Sequence, residues 1–144
     1  MENQNYRIAR IILKDETGRI LIQRRSLSKK TSPNKWTDSA SGHVETGETY
    51  EDAIRRETKE EIGIELDDII YLGEVATKHK HNDTDLTILN GVFKGQISSQ
   101  VKLILDPIEV SDVQWTDLDA IKSQIAEKPD DFSPGFKKII QLYY

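Results

Sequence analysis

The order of elements in the chain predicts an α+β fold, a mixed sheet with helices on its faces. Two apolar strands come first, split by the turn "DETGR". One capped helix stands mid-chain. Long strands and two closing helices follow. No repeat, low-complexity tract or linker interrupts the 144 residues. One domain over residues 1–144, with one substantial core, is therefore expected.

Taken in order, "YRIARIILK" (6–14) is an Ile-rich strand. Gly18 supplies the flexible position of the turn. "ILIQRR" (20–25) returns beside the first strand and makes a hairpin. "SLSKKTSPNKWTD" (26–38) reads as a long polar loop, and long loops in small domains tend to carry function. A helix begins at Thr49, where Thr49 and Asp52 have the spacing of a capping box. It runs to about Ile62, and Gly63 is a natural stop. Residues 69–79, 85–95 and 109–117 read as strands. Residues 118–128 and 134–144 have helical apolar spacing, and Ser133-Pro134 is a helix start.

Composition narrows the function. With no cysteine there is no disulfide, no zinc–thiolate site and no thiol nucleophile. No apolar run approaches the ~18 residues of a membrane span. The N-terminus lacks a signal-peptide core. A cytoplasmic protein with no membrane partner is expected. The net charge of −5 argues against nucleic acid as a partner. Five basic residues nevertheless cluster: Arg24, Arg25, Lys29, Lys30 and Lys35. They make either a solvated loop or a patch for an anionic small molecule.

The densest chemical signal is "GHVETGETYEDAIRRETKEEIGI", residues 42–64. Glu51–Arg55, Asp52–Arg56 and Arg56–Glu60 are favourable i, i+4 pairs. Glu57–Glu61 is a like-charge pair at that spacing, with Glu60 beside it, and such pairs repel. A hard divalent cation reverses the sign of the problem, because Mg2+ takes oxygen ligands from carboxylates and phosphates. A glycine turn ahead of the helix lets backbone oxygens approach the same ion.

This segment resembles the Nudix box, G-x5-E-x7-R-E-U-x-E-E-x-G-U, where U is bulky and apolar. Gly42, Glu48, Arg56-Glu57, Glu60-Glu61, Gly63 and Ile64 match it. Thr58 departs from it at a U position and should weaken one helix–sheet contact slightly. "ILIQRRS" and "EVSDVQWTDLDAI" extend the resemblance over most of the chain. It implies the Nudix fold, a mixed sheet sandwiched between helices. It also implies Mg2+-dependent hydrolysis of a nucleoside diphosphate linked to a group X, with Mn2+ able to substitute. On that basis Glu57, Glu60 and Glu61 hold the metal, joined by the Ser41 carbonyl and by Glu109 from outside the box. Glu57 or Glu60 is also a candidate base. Glu48 pairs with Arg56 and orients the ligand helix. His79, His81, Asp83 and Asp85 are rival ligands in a segment that reads as a loop over the site, or simply an exposed polar turn.

"NKWTDSASGHVETGE" resembles, within this superfamily, the branch of isopentenyl-diphosphate isomerases and their hydrolase-like relatives. Substrate contact is expected from Arg24, Arg25, Trp36, Gly42 and His43. Strand alternation would put only one of the two arginines on the site face. Trp36 reads equally as a core or lid residue, whereas Tyr50 and Phe132 read as packing. The isomerases use a cysteine acid near this position, where the chain has Ser39, Ala40 and Ser41. Isomerase is thus the runner-up to hydrolase. A non-catalytic nucleotide sensor is a third reading, set against a box that keeps all its carboxylates. The expected partner is a small diphosphate, with room for a homodimer.

Overall fold

The structure, a computed structural model, describes residues 5–81 and 83–144. Among the described residues, seven strands form one mixed sheet: β1 (Asn5–Lys14), β2 (Ile20–Arg25), β3 (Trp36–Thr37), β4 (Ala40–His43), β5 (Ile69–His81), β6 (Thr84–Gln96) and β7 (Val110–Thr116). Three helices complete it: α1 (Tyr50–Ile62), α2 (Leu118–Glu127) and α3 (Pro134–Tyr143), with a 3-10 turn at Pro129–Asp131. The α+β expectation holds. Among the described residues, no helix is long and apolar enough to cross a membrane.

The sheet runs β3-β2-β1-β6-β5. β1 runs parallel to β6 over its whole length, from Asn5↔Thr87 to Lys14↔Gln96. The other edge of β1 is forked. Its C-terminal end pairs with β2 at Leu13↔Leu21, and its middle pairs with β4 from Ile8↔His43 to Ile11↔Ala40. β7 lies on the far side of β2.

Alternation along β1 gives each face its own core. Ala9, Ile11 and Leu13 join Leu21, Ala53, Ile54 and Ile62 under α1. Ile12 joins Ile20, Ile22, Phe136, Ile139 and Ile140 under α2 and α3. Thr58 is fully buried in α1, and its hydroxyl donates to the Ile54 carbonyl at 2.6 Å. A Thr is accommodated because that bond satisfies its one buried polar group.

Two sequence expectations are corrected. The loop read over 26–38 ends early, because Trp36–Thr37 forms β3, and Ala40–His43 forms β4. Both strands are too short to show alternation. The segment around His79, His81, Asp83 and Asp85 is the end of a long hairpin, not a covering loop. Its ladder continues to His81↔Thr84.

Candidate active site

α1 holds the acidic residues in place through both of its ends. The Thr49 side chain accepts from the Asp52 N–H while Asp52 accepts from the Thr49 N–H, completing the capping box. Such caps contribute about 1 kcal/mol. Gly63 takes φ 74° at the other end, where Ile104 packs against it. A β-carbon there would be both strained and crowded.

Glu61 lies where the two branches of the fork diverge, with only 5% of its surface exposed. Its Oε1 accepts from Gln23 Nε2 of β2 at 2.9 Å and from the Ser41 N–H of β4 at 3.2 Å. Burial, and then the Glu57 carboxylate beside it, push the Glu61 carboxyl well above the usual range. Glu57 in turn lies against Gly42, where a β-carbon would stand 2.2 Å from its Cδ. The glycine at this box position is therefore a matter of space.

Arg56 distributes the remaining negative charge. It grips Glu48 with two bonds of 2.8 and 2.9 Å, donates to the His43 carbonyl, and reaches Glu57 at 2.7 Å and Glu60 at 3.3 Å. Three equally repelling carboxylates are thus not what the structure shows. Glu60 is half exposed and paired with Arg56. Glu57 is shared between Arg56 and the buried Glu61 carboxyl, so the like-charge contact that remains is the one between Glu57 and Glu61.

Arg56 holds the Glu48 carboxyl down at about 2, with the Glu45 backbone contributing. A carboxyl lowered on folding stabilises the fold above its unfolded value and loses that effect as pH falls toward its folded value. Glu48→Gln should therefore lower stability at neutral pH. The difference from wild type should shrink below about pH 4.5, the unfolded value. Urea midpoints in EDTA at pH 7, 5 and 3 check this; an undiminished gap at pH 3 would exclude the pair as its cause.

The other expected residues divide. Arg25 feels the Glu61, Asp38 and Glu109 carboxylates, although burial and Arg10 lower its own pKa. Glu109 pairs with Lys29, and its carbonyl accepts from the Ser26 N–H. Arg24 instead lies over the Trp36 ring at 5.7 Å, and Trp36 packs against the core under α2 and α3. The structure does not bring these two into contact with the box carboxylates. His43 meets Tyr6 edge-on, with ring centroids 6.1 Å apart. Tyr50 stacks on Tyr71, and Phe132 on Phe136. His79 bonds to Thr77, Asp83 and Asp85 are exposed, and the His81 side chain lies outside the described residues. Among the described residues no three acidic or histidine side chains converge on a point that could hold a metal. Glu57 and Glu60 turn to Arg56, and Glu109 to Lys29.

Sequence reasoning passed over two residues. Gln23 reads as an ordinary polar strand residue. Lys29 was one member of a basic cluster, and only the fold shows it to be the partner of Glu109.

The NUDIX domain model matches residues 5–142. The chain belongs to the Nudix family. It is 37% identical over 123 residues to an isopentenyl-diphosphate Delta-isomerase of Klebsiella pneumoniae, a match covering 83% of this chain but 65% of that protein. An isomerase of the same name from Brevibacterium linens is also 37% identical, and the chain spans 66% of it. The resemblance to the isomerase branch is thereby borne out. The crystal structure of DR0079 from Deinococcus radiodurans superposes with a TM-score of 0.77 at 27% identity, covering 96% of this chain and 83% of that one. This Nudix fold is the architecture the box implied.

Proposed function

We propose that this Nudix chain is a cytoplasmic enzyme, a divalent-metal-dependent pyrophosphohydrolase acting on a nucleoside diphosphate linked to another group. One observation carries the reading: a buried carboxylate, Glu61, is held against a second, Glu57, at the family's box positions. Arg56 offsets Glu57 from one side, and a buried carboxylate beside it is costly unless a cation meets both. A hard cation suits an all-oxygen donor set. Glu57, Glu60, Glu61 and the Ser41 carbonyl would hold Mg2+ or Mn2+, with Glu109 as a further ligand once free of Lys29. Such an ion, when bound, would supply charge neutralisation at phosphate oxygens and a more acidic water. Arg25 supplies positive charge toward Glu61 and Lys29 supplies it at Glu109, a pairing suited to a diphosphate. Glu57 or Glu60 takes the proton from the attacking water. Glu48 and Arg56 keep α1 and the segment at His43 in register.

The isomerase reading is favoured by the 37% identical relatives. The residues at the cysteine region weigh against it. Ser39 is fully buried, donating to the Leu21 carbonyl and accepting from the Leu13 N–H. Ala40 is in the core. Only Ser41 stands beside Glu61. A hydroxyl is a far weaker acid than a thiol and cannot protonate a carbon in its place.

One experiment separates the readings. The protein is incubated with Mg2+ and nucleoside triphosphates, oxidised nucleotides, ADP-ribose, dinucleoside polyphosphates or prenyl diphosphates, with NMR of the products. Release of phosphate or nucleotide is expected, with no dimethylallyl diphosphate from isopentenyl diphosphate. Isomer formation at enzyme-like rates would overturn the assignment. Tight nucleotide binding without any turnover would instead mark a sensor.

A further inference from the structure

We propose that Gln23 is a positioning residue for Glu61, and that it sets which way the carboxylate presents its second oxygen. This rests on the reading of Glu61 as a metal ligand.

β2 alternates between the two cores. Ile20 and Ile22 face α2 and α3, while Leu21 faces α1. Gln23 continues the α1 side, where the pattern calls for another apolar residue, and it is 4% exposed. A buried amide is costly unless its N–H groups are bonded. Gln23 Nε2 donates to the Ser39 carbonyl at 3.0 Å and to Glu61 Oε1 at 2.9 Å. Both partners are acceptors, so only the NH2 end of the amide satisfies them. Ser39 is itself fixed, through its hydroxyl, to the strands on either side. The amide therefore hangs from a rigid frame and reaches into the fork.

The Ser41 N–H meets the same oxygen, Oε1, at 3.2 Å. Two donors from two different strands on one oxygen fix the roll of the carboxylate, and with it the direction of Oε2. A lysine or arginine at position 23 would hold Glu61 too, but its charge would compete with a cation. The neutral amide orients the ligand without neutralising it. Partners of this kind are worth 10–100-fold in metal affinity or activity.

The test uses the full chain and Mn2+ alone, with free Mn2+ read by EPR. Gln23→Met keeps the length and removes both donors. It should weaken Mn2+ binding about 10-fold or more. In a Glu61→Gln background the same change should have no further effect. Gln23→Asn keeps the amide but falls short of Glu61. It should show the same loss of binding with a lowered but still cooperative melt in EDTA, and it decides the matter should the Met variant not fold. Wild-type affinity in a folded Gln23 variant, beside weakened binding by Glu61→Gln, overturns the positioning role alone. An equal loss in both backgrounds overturns it as well, since Gln23 would then act through packing. Wild-type affinity in Glu61→Gln itself overturns the metal reading beneath it.

Discussion

Glu61→Gln is expected to lower turnover at least ~100-fold while the fold survives, the loss following from removal of a group that stabilises developing charge. The amide has the carboxylate's shape, so its oxygen can still accept from Gln23 and from the Ser41 N–H. What disappears is a charge buried beside Glu57. Stability should therefore respond in opposite directions with and without metal. In EDTA the variant should melt at or above wild type, because the amide is neutral where the Glu61 carboxyl must either carry a buried charge beside Glu57 or take up a proton. In saturating Mn2+ or Mg2+ it should melt below wild type. A cation bound only by the folded state adds roughly 2.7 kcal/mol at a hundredfold excess over Kd. Crossing melting curves distinguish a metal site from a charged surface, which would respond to neither change. Two results would sink the assignment: wild-type turnover of Glu61→Gln at saturating Mg2+, or a wild-type protein that gains no stability from any divalent ion.

Gly42→Ala should reduce turnover by a comparable factor through geometry alone. The added methyl would lie 2.2 Å from Glu57 Cδ and 2.5 Å from its Cγ. Gly42 is absent from the left-handed region of the backbone, so alanine brings no conformational strain there. The crowded atoms belong to the end of a side chain, which can swing away. The fold is therefore kept and Glu57 is displaced. A misplacement of about 1 Å at a reacting centre can cost ~100-fold. Melting in EDTA should be almost unchanged, while metal-induced stabilisation shrinks with activity. A variant with full activity would mean that Glu57 works equally well from another position.

What could be read from the sequence was local. The capping box, the glycine stop after α1, and the pairing of Glu48 with Arg56 all depend on residues within a few turns of one another. The first two stand in the structure as the spacing suggested, and the third as the family resemblance implied. The features that escaped depend on partners far along the chain. β3 and β4 have two and four residues, with polar members throughout, and exist because β2 and β1 offer them a ladder. Gln23 acquires a role only when α1 brings Glu61 to it across 38 positions. Arg24 lies over Trp36 while Arg25 feels the Glu61 carboxylate. The register shift between them has no signature in the residues themselves.

The parallel pairing of β1 with β6 has a consequence for how the molecule comes into being. Residue 5 pairs with residue 87, and residue 14 with residue 96. During synthesis the first hairpin and α1 can take shape early, but the middle of the sheet cannot close until residue 96 has left the ribosome. Contacts that bridge so much chain slow folding, because loop closure must precede any gain from them. In the interval the Ile-rich edge of β1 is open to solvent and to other chains. Substitutions along β6 should thus govern the folding rate and the yield of protein.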